Sequence, residues 1–354
     1  MGDEFRDFTL AAVQAAPVYL DRDASVDKAC VLIDQAGARG ADLAVFGETW
    51  ISGYASFGAW PEHRAFRGAL QRFIQNGVEI PSPATDALCA AARRAGIDVA
   101  IGVAERDATT HGSIYCTLLF IGREGRILGK HRKLKPTFYE RSVWGEGDGS
   151  TLRLYERPYG KLGGLNCWEH QMVLPGYALI AQGLQVHAGA WPGWTETRQE
   201  ILSRAFAMQA CAYVVMTGSV LLPERIPDEL REVVRPMNGH SAIIGPSGDV
   251  LAGPLLDAEG ILTAKANLGQ IAYLKMIADH AGHYTRPDVF DFRVNARPKQ
   301  VAVFEGREDA ALPAEVRAAI QAGLASGEIR TERDLRGAFE DLAIAPGGSR
   351  RARA

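Results

Sequence analysis

The sequence has no strong charge excess and no long hydrophobic run, and its few cysteines are widely spaced. The 354 residues carry a formal net charge of −3, so the composition gives no sign of a nucleic-acid binder. Apolar runs such as 212–216 and 242–244 are far shorter than a membrane span, and residues 1–6 contain no apolar segment of a signal peptide. We therefore expect a globular protein without a nucleic-acid or membrane partner.

The cysteines are too scattered to form a disulfide framework. There are five of them, and this odd number with wide spacing favours a reducing compartment, so we predict a cytoplasmic protein. Four lie in helical or strand contexts and are interpreted as packing residues: Cys30, Cys89, Cys116 and Cys211. The fifth, Cys167, lies at a turn, where a thiol becomes available for chemistry.

Short apolar strands alternate with amphipathic helices along most of the chain. Strands are predicted at 8–15, 42–46, 98–104, 114–121, 127–133, 153–155, 161–165, 185–188, 212–217, 240–244, 250–252 and 261–267. Helices are predicted at 25–39, 66–75, 84–95, 174–182, 196–210 and 268–279. The alternation predicts a layered α/β fold, and hairpin turns at 122–125 and 245–248 indicate that its sheets are mixed.

The composition changes after Phe304, towards alanine and charged residues. We divide the chain there into a main domain, 1–304, and a C-terminal extension, 305–354. The extension is predicted to be helical at 313–322 and 331–342 and to end in a flexible tail. Extensions of this kind mediate assembly more often than chemistry.

One stretch, 163–170, joins a strand to a predicted helix and holds Cys167 in its middle. A cysteine at the carboxyl end of a strand, before a turn, occupies the place where open α/β sheets position their active sites. A thiol nucleophile also needs a base and a cation that neutralises charge on the electrophile. Glu48, just past another strand end, is the candidate base, because burial raises a carboxyl pKa. Lys133, at a third strand end, is the candidate cation.

Several alternatives remain open for these residues. Glu140 is a candidate second anion that orients Lys133, although an exposed pair with Arg141 is the simpler interpretation of it. Cys167 and His170 have the spacing of half a zinc site, but no second Cys/His pair completes it, so no metal is expected. A Cys–His dyad is a further alternative. Its available partners are His131, His187, His240 and His283.

The motifs around Glu48, Lys133 and Cys167 together resemble the nitrilase superfamily, and within it the branch of true nitrilases. The most specific matches are 131–137, 140–141, 144–150, 163–170 and 282–290. The resemblance covers about residues 8 to 292. It departs from the family pattern at Gly47, where proline is usual, and at 49–54 in the pocket-lining run.

The resemblance implies a fold, a set of catalytic residues and a mode of assembly. The fold is an α-β-β-α sandwich, which forms back-to-back dimers that grow into spirals or filaments in this branch. The catalytic set is a Glu–Lys–Cys triad, here Glu48, Lys133 and Cys167, with Glu140 beside the lysine. Four nearby residues are candidates for the wall of the substrate pocket: Tyr54, Trp168, Trp191 and Pro192.

The activity implied by the resemblance is hydrolysis of an organic nitrile to the carboxylic acid and ammonia, without a metal or organic cofactor. An amidase or carbamoylase would use the same triad, and a nitrile-hydrating enzyme would stop at the amide. A catalytically idle assembly subunit is the alternative from a different class. It is disfavoured because Glu48, Lys133, Glu140 and Cys167 are all present.

Overall fold

The structure, a computed structural model, describes residues 5–194, 196–300 and 302. The chain divides into two compact units, Met1–Pro298 and Lys299–Ala354, and the architecture below is that of the first. The helices predicted at 313–322 and 331–342 lie outside the described residues.

Strands and helices alternate, as the hydrophobic pattern predicts. The strands in the described residues are β1 (Asp7–Gln14), β2 (Leu43–Phe46), β3 (Asp98–Arg106), β4 (Ile114–Gly122), β5 (Arg126–Arg132), β6 (Tyr155–Arg157), β7 (Gly160–Asn166), β8 (Val186–Trp191), β9 (Tyr213–Gly218), β10 (Val220–Leu221), β11 (Met237–Ile244), β12 (Val250–Leu256) and β13 (Gly260–Asn267). The helices are α1 (Arg22–Ala38), α2 (Arg64–Gln75), α3 (Pro83–Ala95), α4 (Val173–Ile180), α5 (Glu196–Ala210) and α6 (Leu268–Ile277). No described helix is long and apolar enough to cross a membrane.

These strands form two mixed sheets. The first has the order β13-β1-β2-β3-β4-β5, in which β1, β2 and β3 are parallel and the other neighbours are antiparallel. The second has the order β10-β11-β9-β8-β7-β6, with β12 paired to β11, and its parallel part is β7, β8 and β9. Hairpins therefore extend a parallel centre in both sheets, as predicted.

Three apolar clusters stack the elements into four layers. The cluster between the sheets joins β1 and β4 of the first sheet to β8 and β9 of the second; its members include Leu10, Leu118, Val186 and Val215. Helices α1 and α3 cover the outer face of the first sheet, with Ile33 and Leu88 in that cluster. Helices α4 and α5 cover the second sheet, with Leu179 and Phe206. The α-β-β-α sandwich is thus confirmed.

Local sequence explains where the elements begin and end. Helix α3 starts with Pro83 after a capping pair, in which the Thr85 hydroxyl accepts the Ser82 N–H at 2.8 Å, and it stops at Gly96 with a left-handed φ of 69°. Strand β2 reads Leu-Ala-Val-Phe and is buried throughout, as is typical of a parallel strand covered on both faces.

Several strand predictions need correction: β11 begins at Met237, β12 continues to Leu256, β10 was not predicted, and two further strands are shifted or extended. The strand predicted at 153–155 lies at Tyr155–Arg157, because the hairpin turns at Gly160, whose φ is 116°. The strand predicted at 185–188 continues to Trp191, because Gly189 and Ala190 extend its parallel ladders with β7 and β9. This extension carries the end of β8 to the Glu48 segment.

Candidate active site

The three residues of the predicted triad each follow the end of a different strand. Glu48 lies beyond β2, Lys133 directly follows β5 and Cys167 directly follows β7. All three are buried, and so is Glu140, which lies in a short helical turn, Phe138–Ser142. A carboxylate oxygen of Glu48, one of Glu140 and the Cys167 sulfur lie within 4.8 Å of one another. The structure therefore brings the predicted residues into one buried cluster.

Close backbone packing holds the Glu48 segment in place. The amide of Glu48 donates to the carbonyl of Trp191 at 3.0 Å, which joins the ends of β2 and β8. The segment crosses β3 at Gly102, where a Cβ would lie only 2.2 Å from the Gly47 carbonyl oxygen. The next residue, Thr49, has a φ of 41°, which is costly for a β-branched side chain. The fold thus forces this carboxylate into the interior.

Lys133 is the cation of the cluster. Its Nζ donates to Glu48 Oε1 at 2.8 Å and to Glu140 Oε2 at 2.7 Å. Burial alone would lower the Lys133 pKa, but the charges of Glu48 and Glu140 raise it well above its ordinary value. Lys133 is therefore an ammonium ion bonded to two carboxylates.

The two glutamates differ in how their oxygens are used. Glu140 Oε1 accepts the Tyr54 hydroxyl, and Oε2 accepts both Lys133 and the Thr137 N–H, the latter at 2.6 Å. Glu140 is therefore a fixed acceptor that orients the lysine. Glu48 Oε1 accepts Lys133 and the Cys116 thiol, whereas its Oε2 has no hydrogen-bond partner within the described chain. We call Oε2 the open oxygen of Glu48.

The open oxygen leaves Glu48 with a free acceptor site inside the cluster. Burial raises the Glu48 pKa to about 7; the Lys133 charge lowers it and the Glu140 charge raises it. A carboxylate with a pKa near neutrality combines the required basic form with the ability to hold a proton, which is what general-base chemistry needs. This is the role that the sequence predicts for Glu48.

Cys167 begins a turn immediately after its strand. It has a φ of 48° and opens the short helical turn Cys167–Gln171, while its side chain is only 2% exposed. Burial and then the charge of Glu48 raise the Cys167 pKa well above its ordinary value, although Lys133 and the Trp168 N–H oppose this rise. The resting residue is therefore a neutral thiol, which needs a base before it can attack.

The neighbouring histidines support the turn rather than the thiol. His170 Nδ1 lies 2.6 Å from the Cys167 carbonyl and must donate to it, so His170 Nε2 accepts from His187 Nε2 at 2.9 Å. Burial lowers the His170 pKa to about 4, so the ring is neutral. The other proposed dyad partners bind elsewhere: His131 contacts Glu169, His240 contacts Glu200 and His283 contacts the Ile277 carbonyl. Across the described ranges, no imidazole is hydrogen-bonded to the Cys167 thiol.

Glu169 connects the lysine segment to the cysteine segment. Its Oε1 accepts the Leu134 N–H at 2.8 Å, and its Oε2 accepts the Asn166 N–H at 2.9 Å. Burial would raise the Glu169 pKa, but His131 and these two amides bring it below its ordinary value. The buried carboxylate thus fixes the spacing of the segments that carry Lys133 and Cys167.

The predicted pocket-wall residues fall into two groups. Tyr54 lies at the cluster through its bond to Glu140, and Trp168 is half-buried next to the nucleophile, with the Arg198 guanidinium 4.2 Å from its ring centroid. Pro192 and Trp191 are buried, and the Trp191 indole stacks on His170 with centroids 4.9 Å apart. Trp191 therefore packs in the core, and its carbonyl is the part that contacts the Glu48 segment.

Sequence reasoning missed other residues around this cluster. Trp144 and Trp194 pack edge-on against Tyr54, with ring centroids 5.5 and 4.7 Å away. Cys116, interpreted as a packing residue, instead contacts Glu48, with its sulfur 3.2 Å from Oε1. Its position in an apolar strand gives no signal of that contact. The sequence did indicate that Trp144 lies near the cluster, because this residue begins the 144–150 motif.

Comparison with known proteins identifies the family. Residues 9–276 match the family described as carbon-nitrogen hydrolase. The chain belongs to the carbon-nitrogen hydrolase family. It is 52% identical over 303 residues to Nitrilase 2 from an unknown prokaryotic organism, covering 85% of this chain and 96% of that one. It is 39% identical over 308 residues to an aliphatic nitrilase from Rhodococcus rhodochrous, covering 82% and 83% of the two chains.

The fold comparison agrees with this membership of the carbon-nitrogen hydrolases. Saccharomyces cerevisiae Nit3, a member of branch 10 of the nitrilase superfamily, superposes with a TM-score of 0.64 at 20% identity. The match covers 79% of this chain and 97% of Nit3. The family match and the 52% identical relative confirm the resemblance to the nitrilases that the motifs indicate, and the superposition agrees with them in fold.

The Gly102 contact gives a first prediction for this carbon-nitrogen hydrolase. Gly102→Ala is expected to lower kcat/KM on the order of 100-fold, because a misplacement near 1 Å is enough for such a loss. The new methyl group would lie 2.2 Å from the Gly47 carbonyl oxygen and 2.4 Å from the Thr49 nitrogen, and would displace Glu48. Steady-state kinetics measure the effect. Gly68→Ala is the control, since its Cβ meets no atom within 4 Å. Equal kinetics for the two variants would contradict the prediction.

Proposed function

We propose that the protein is a nitrilase, which hydrolyses an organic nitrile to the carboxylic acid and ammonia. Cys167 is the nucleophile, Glu48 the general base and Lys133 the residue that stabilises developing negative charge. Glu140 holds the lysine in position. The observation that carries the proposal is the open oxygen of Glu48, a buried base within the same cluster as a neutral thiol and an ammonium ion. The 52% identical relative named Nitrilase 2 supports the choice of a nitrile as substrate.

The first half of the reaction forms a covalent thioimidate. The Cys167 sulfur attacks the nitrile carbon while the thiol proton passes to the open oxygen of Glu48. The nitrile nitrogen gains electron density as its triple bond becomes a double bond, and the Lys133 ammonium and the Trp168 N–H stabilise that charge. The proton held by Glu48 then moves to this nitrogen, and Glu48 is again a carboxylate.

The second half uses two water molecules. Glu48 removes a proton from the first water as it adds to the thioimidate carbon, and then passes this proton to the nitrogen. The nitrogen takes a second proton from the new hydroxyl group and leaves as ammonia, so a thioester remains and Glu48 is again a carboxylate. A second water, activated in the same way, cleaves the carbon–sulfur bond and releases the carboxylic acid. The thiol of Cys167 regains its proton, so each side chain ends in its starting state. Expulsion of the thiol instead of ammonia would release the amide.

The experiment that tests the proposal measures ammonia release from a panel of nitriles and their matching amides, with Cys167→Ala as control. Acid and ammonia from nitriles, absent in the variant, would support a nitrilase. Hydrolysis of amides alone would assign an amidase or carbamoylase, and an amide product would assign a nitrile-hydrating enzyme. No turnover of either class would favour an idle assembly subunit.

The pH dependence of kcat/KM gives a second prediction. Glu48 must be deprotonated to act as a base, and its pKa is about 7. Activity is therefore expected to fall as the pH drops through about 7, tenfold per pH unit further below. A stopped assay of ammonia at pH 5 to 9 measures the profile. An acid limb near pH 4.5, the ordinary range of a glutamate, would contradict the assignment of Glu48 as base.

We also propose that the protein self-associates, as a homodimer that extends into spirals or filaments. Helices α4 and α5 expose large apolar side chains on the outer layer, among them Val173 at 78% and Ile201 at 61% exposure. Light scattering should give a mass above that of one chain, and a monomer would contradict self-association.

The segment after residue 304 is proposed to be a separate extension. The five free thiols suit a cytoplasmic location, which we propose for the protein.

A further inference from the structure

The mechanism leaves one buried thiol of the cluster unused. Cys116 lies on β4 and is fully buried. Its sulfur is 3.2 Å from Glu48 Oε1, and its carbonyl accepts the Lys133 N–H at 2.8 Å. The same residue therefore contacts the side chain of the proposed base and the backbone of the proposed charge stabiliser.

The direction of the hydrogen bond follows from the chemistry of its two partners. Carboxylate oxygens only accept, so the thiol is the donor whenever Glu48 is ionised. Burial and then the charge of Glu48 raise the Cys116 pKa well above its ordinary value, although Lys133 opposes this rise. Cys116 therefore keeps its proton and remains a donor while Glu48 is a carboxylate. A thiol in this state is not a second nucleophile.

The two donors on Glu48 select which of its oxygens reacts. Oε1 accepts from the Lys133 ammonium at 2.8 Å and from the Cys116 thiol at 3.2 Å. Cys116 lies on β4 of the first sheet, and Lys133 directly follows β5 of the same sheet. Two donors on one oxygen resist rotation of the carboxylate. Oε2 is consequently the oxygen that stays available for a proton.

We infer that Cys116 is a positioning residue, which, together with Lys133, fixes Oε1 of Glu48 and thereby presents the open oxygen to the Cys167 thiol. The inference rests on the proposed function, in which Glu48 is the base. Cys116 contacts neither substrate nor reacting atoms in this scheme. Its effect is transmitted through the orientation and basicity of Glu48.

Removal of the Cys116 donor is expected to raise the Glu48 pKa. Cys116→Ala removes one of the two hydrogen bonds that stabilise the Glu48 carboxylate, so the Glu48 pKa rises and the carboxylate rotates more freely. Cys116→Ser replaces the thiol with a hydroxyl donor of similar size. The other groups that face Glu48 are unchanged in both variants: Lys133, Glu140, Cys167 and Tyr54.

The experiment compares pH profiles of kcat and KM for the wild type and the two variants. For Cys116→Ala we expect the acid limb of kcat/KM to move up by about one pH unit and kcat at pH 7 to fall about fivefold, with KM within about twofold. Cys116→Ser should keep the acid limb at or below the wild-type position. Cys89→Ala is the control, because Cys89 is a buried thiol on α3, in the cluster on the outer face of the first sheet. It should leave the profile unmoved.

A second readout does not depend on the substrate. Alkylation of Cys167 by iodoacetamide, followed by mass spectrometry of its peptide, reports how readily the thiol loses its proton at each pH. Its pH dependence should shift in Cys116→Ala and not in Cys116→Ser. Profiles of Cys116→Ala that superpose on the wild type, or equal shifts in both variants, would overturn the inference. If the wild type did not hydrolyse nitriles but the pH dependence of Cys167 alkylation still shifted in Cys116→Ala, the proposed function would be overturned and the role of Cys116 would stand.

Discussion

Cys167→Ala is expected to lower kcat/KM on the order of 10⁵-fold or more, the loss typical of removing a nucleophile from an enzyme with a covalent intermediate. Without the sulfur, neither the thioimidate nor the thioester can form. Glu48 and Lys133 would remain, but water attack on a nitrile lacks the covalent step that divides the reaction. Ammonia release under substrate saturation, with thermal unfolding to show that the variant folds, measures the effect.

Cys167→Ser should fail almost as completely. A serine hydroxyl has a much higher pKa than a thiol, and a base with a pKa of about 7 removes its proton poorly. Cys211→Ser is a suitable control, since Cys211 follows α5 and its sulfur lies near the Met208 and Ala278 carbonyls. Turnover by Cys167→Ala at even one hundredth of the wild-type rate would contradict the proposed mechanism.

Lys133→Gln is expected to remove activity and destabilise the fold at the same time. The ammonium bonds both Glu48 and Glu140, and all three side chains are fully buried. Removing one partner of a buried ion pair typically lowers the free energy of unfolding by about 3–5 kcal/mol. We also expect kcat/KM to fall on the order of 1,000-fold, because developing charge on the nitrile nitrogen loses its stabilising cation. Kinetics and urea unfolding measure the two effects.

The destabilisation in Lys133→Gln should depend on pH with a definite sign. Lys133 lowers the Glu48 pKa, which is already raised to about 7, so its loss moves the folded-state pKa higher still. A carboxyl group whose pKa is higher in the folded than in the unfolded state stabilises the fold at a pH below its unfolded-state pKa. This stabilisation is lost as the pH rises through the folded-state pKa. The variant should therefore lose more stability at pH 8.5 than at pH 5.5. Lys135→Gln, at a half-exposed lysine, is the control; a deficit that shrinks with rising pH would contradict the argument.

The alternation of strands and helices was sufficient to predict a layered α/β fold, and the strand ends were sufficient to predict that Glu48, Lys133 and Cys167 lie together. Each of Glu48, Lys133 and Cys167 follows a segment that was predicted to be a strand, and strand ends are where side chains converge in layered α/β folds. Glu140 was predictable as the partner of Lys133 because it follows only seven residues later, in the loop after the same strand. Strand limits were less certain where small residues such as Gly189 continue a ladder.

Contacts across strands could not be predicted in the same way. Alternation indicates which face Cys116 occupies but not what reaches that face. Its bond to Glu48 depends on Gly102, on the strand between them, whose missing side chain lets the Glu48 segment pass close to β3. The stacking of Trp191 on His170 likewise depends on how far β8 extends. Such contacts follow from three-dimensional register, which short-range sequence patterns do not encode.

The composition of the buried cluster has a consequence for the end of the catalytic cycle. Two carboxylates, Glu48 and Glu140, surround a single ammonium, so above a pH of about 7 the cluster has an excess of negative charge. The organic acid formed there is itself an anion once it loses its proton, and like charges at a buried site repel. Departure of the acid should therefore be fast, and product inhibition weak and weaker still in alkaline buffer. Nitriles that already bear a carboxylate near the cyano group should be poor substrates for the same reason.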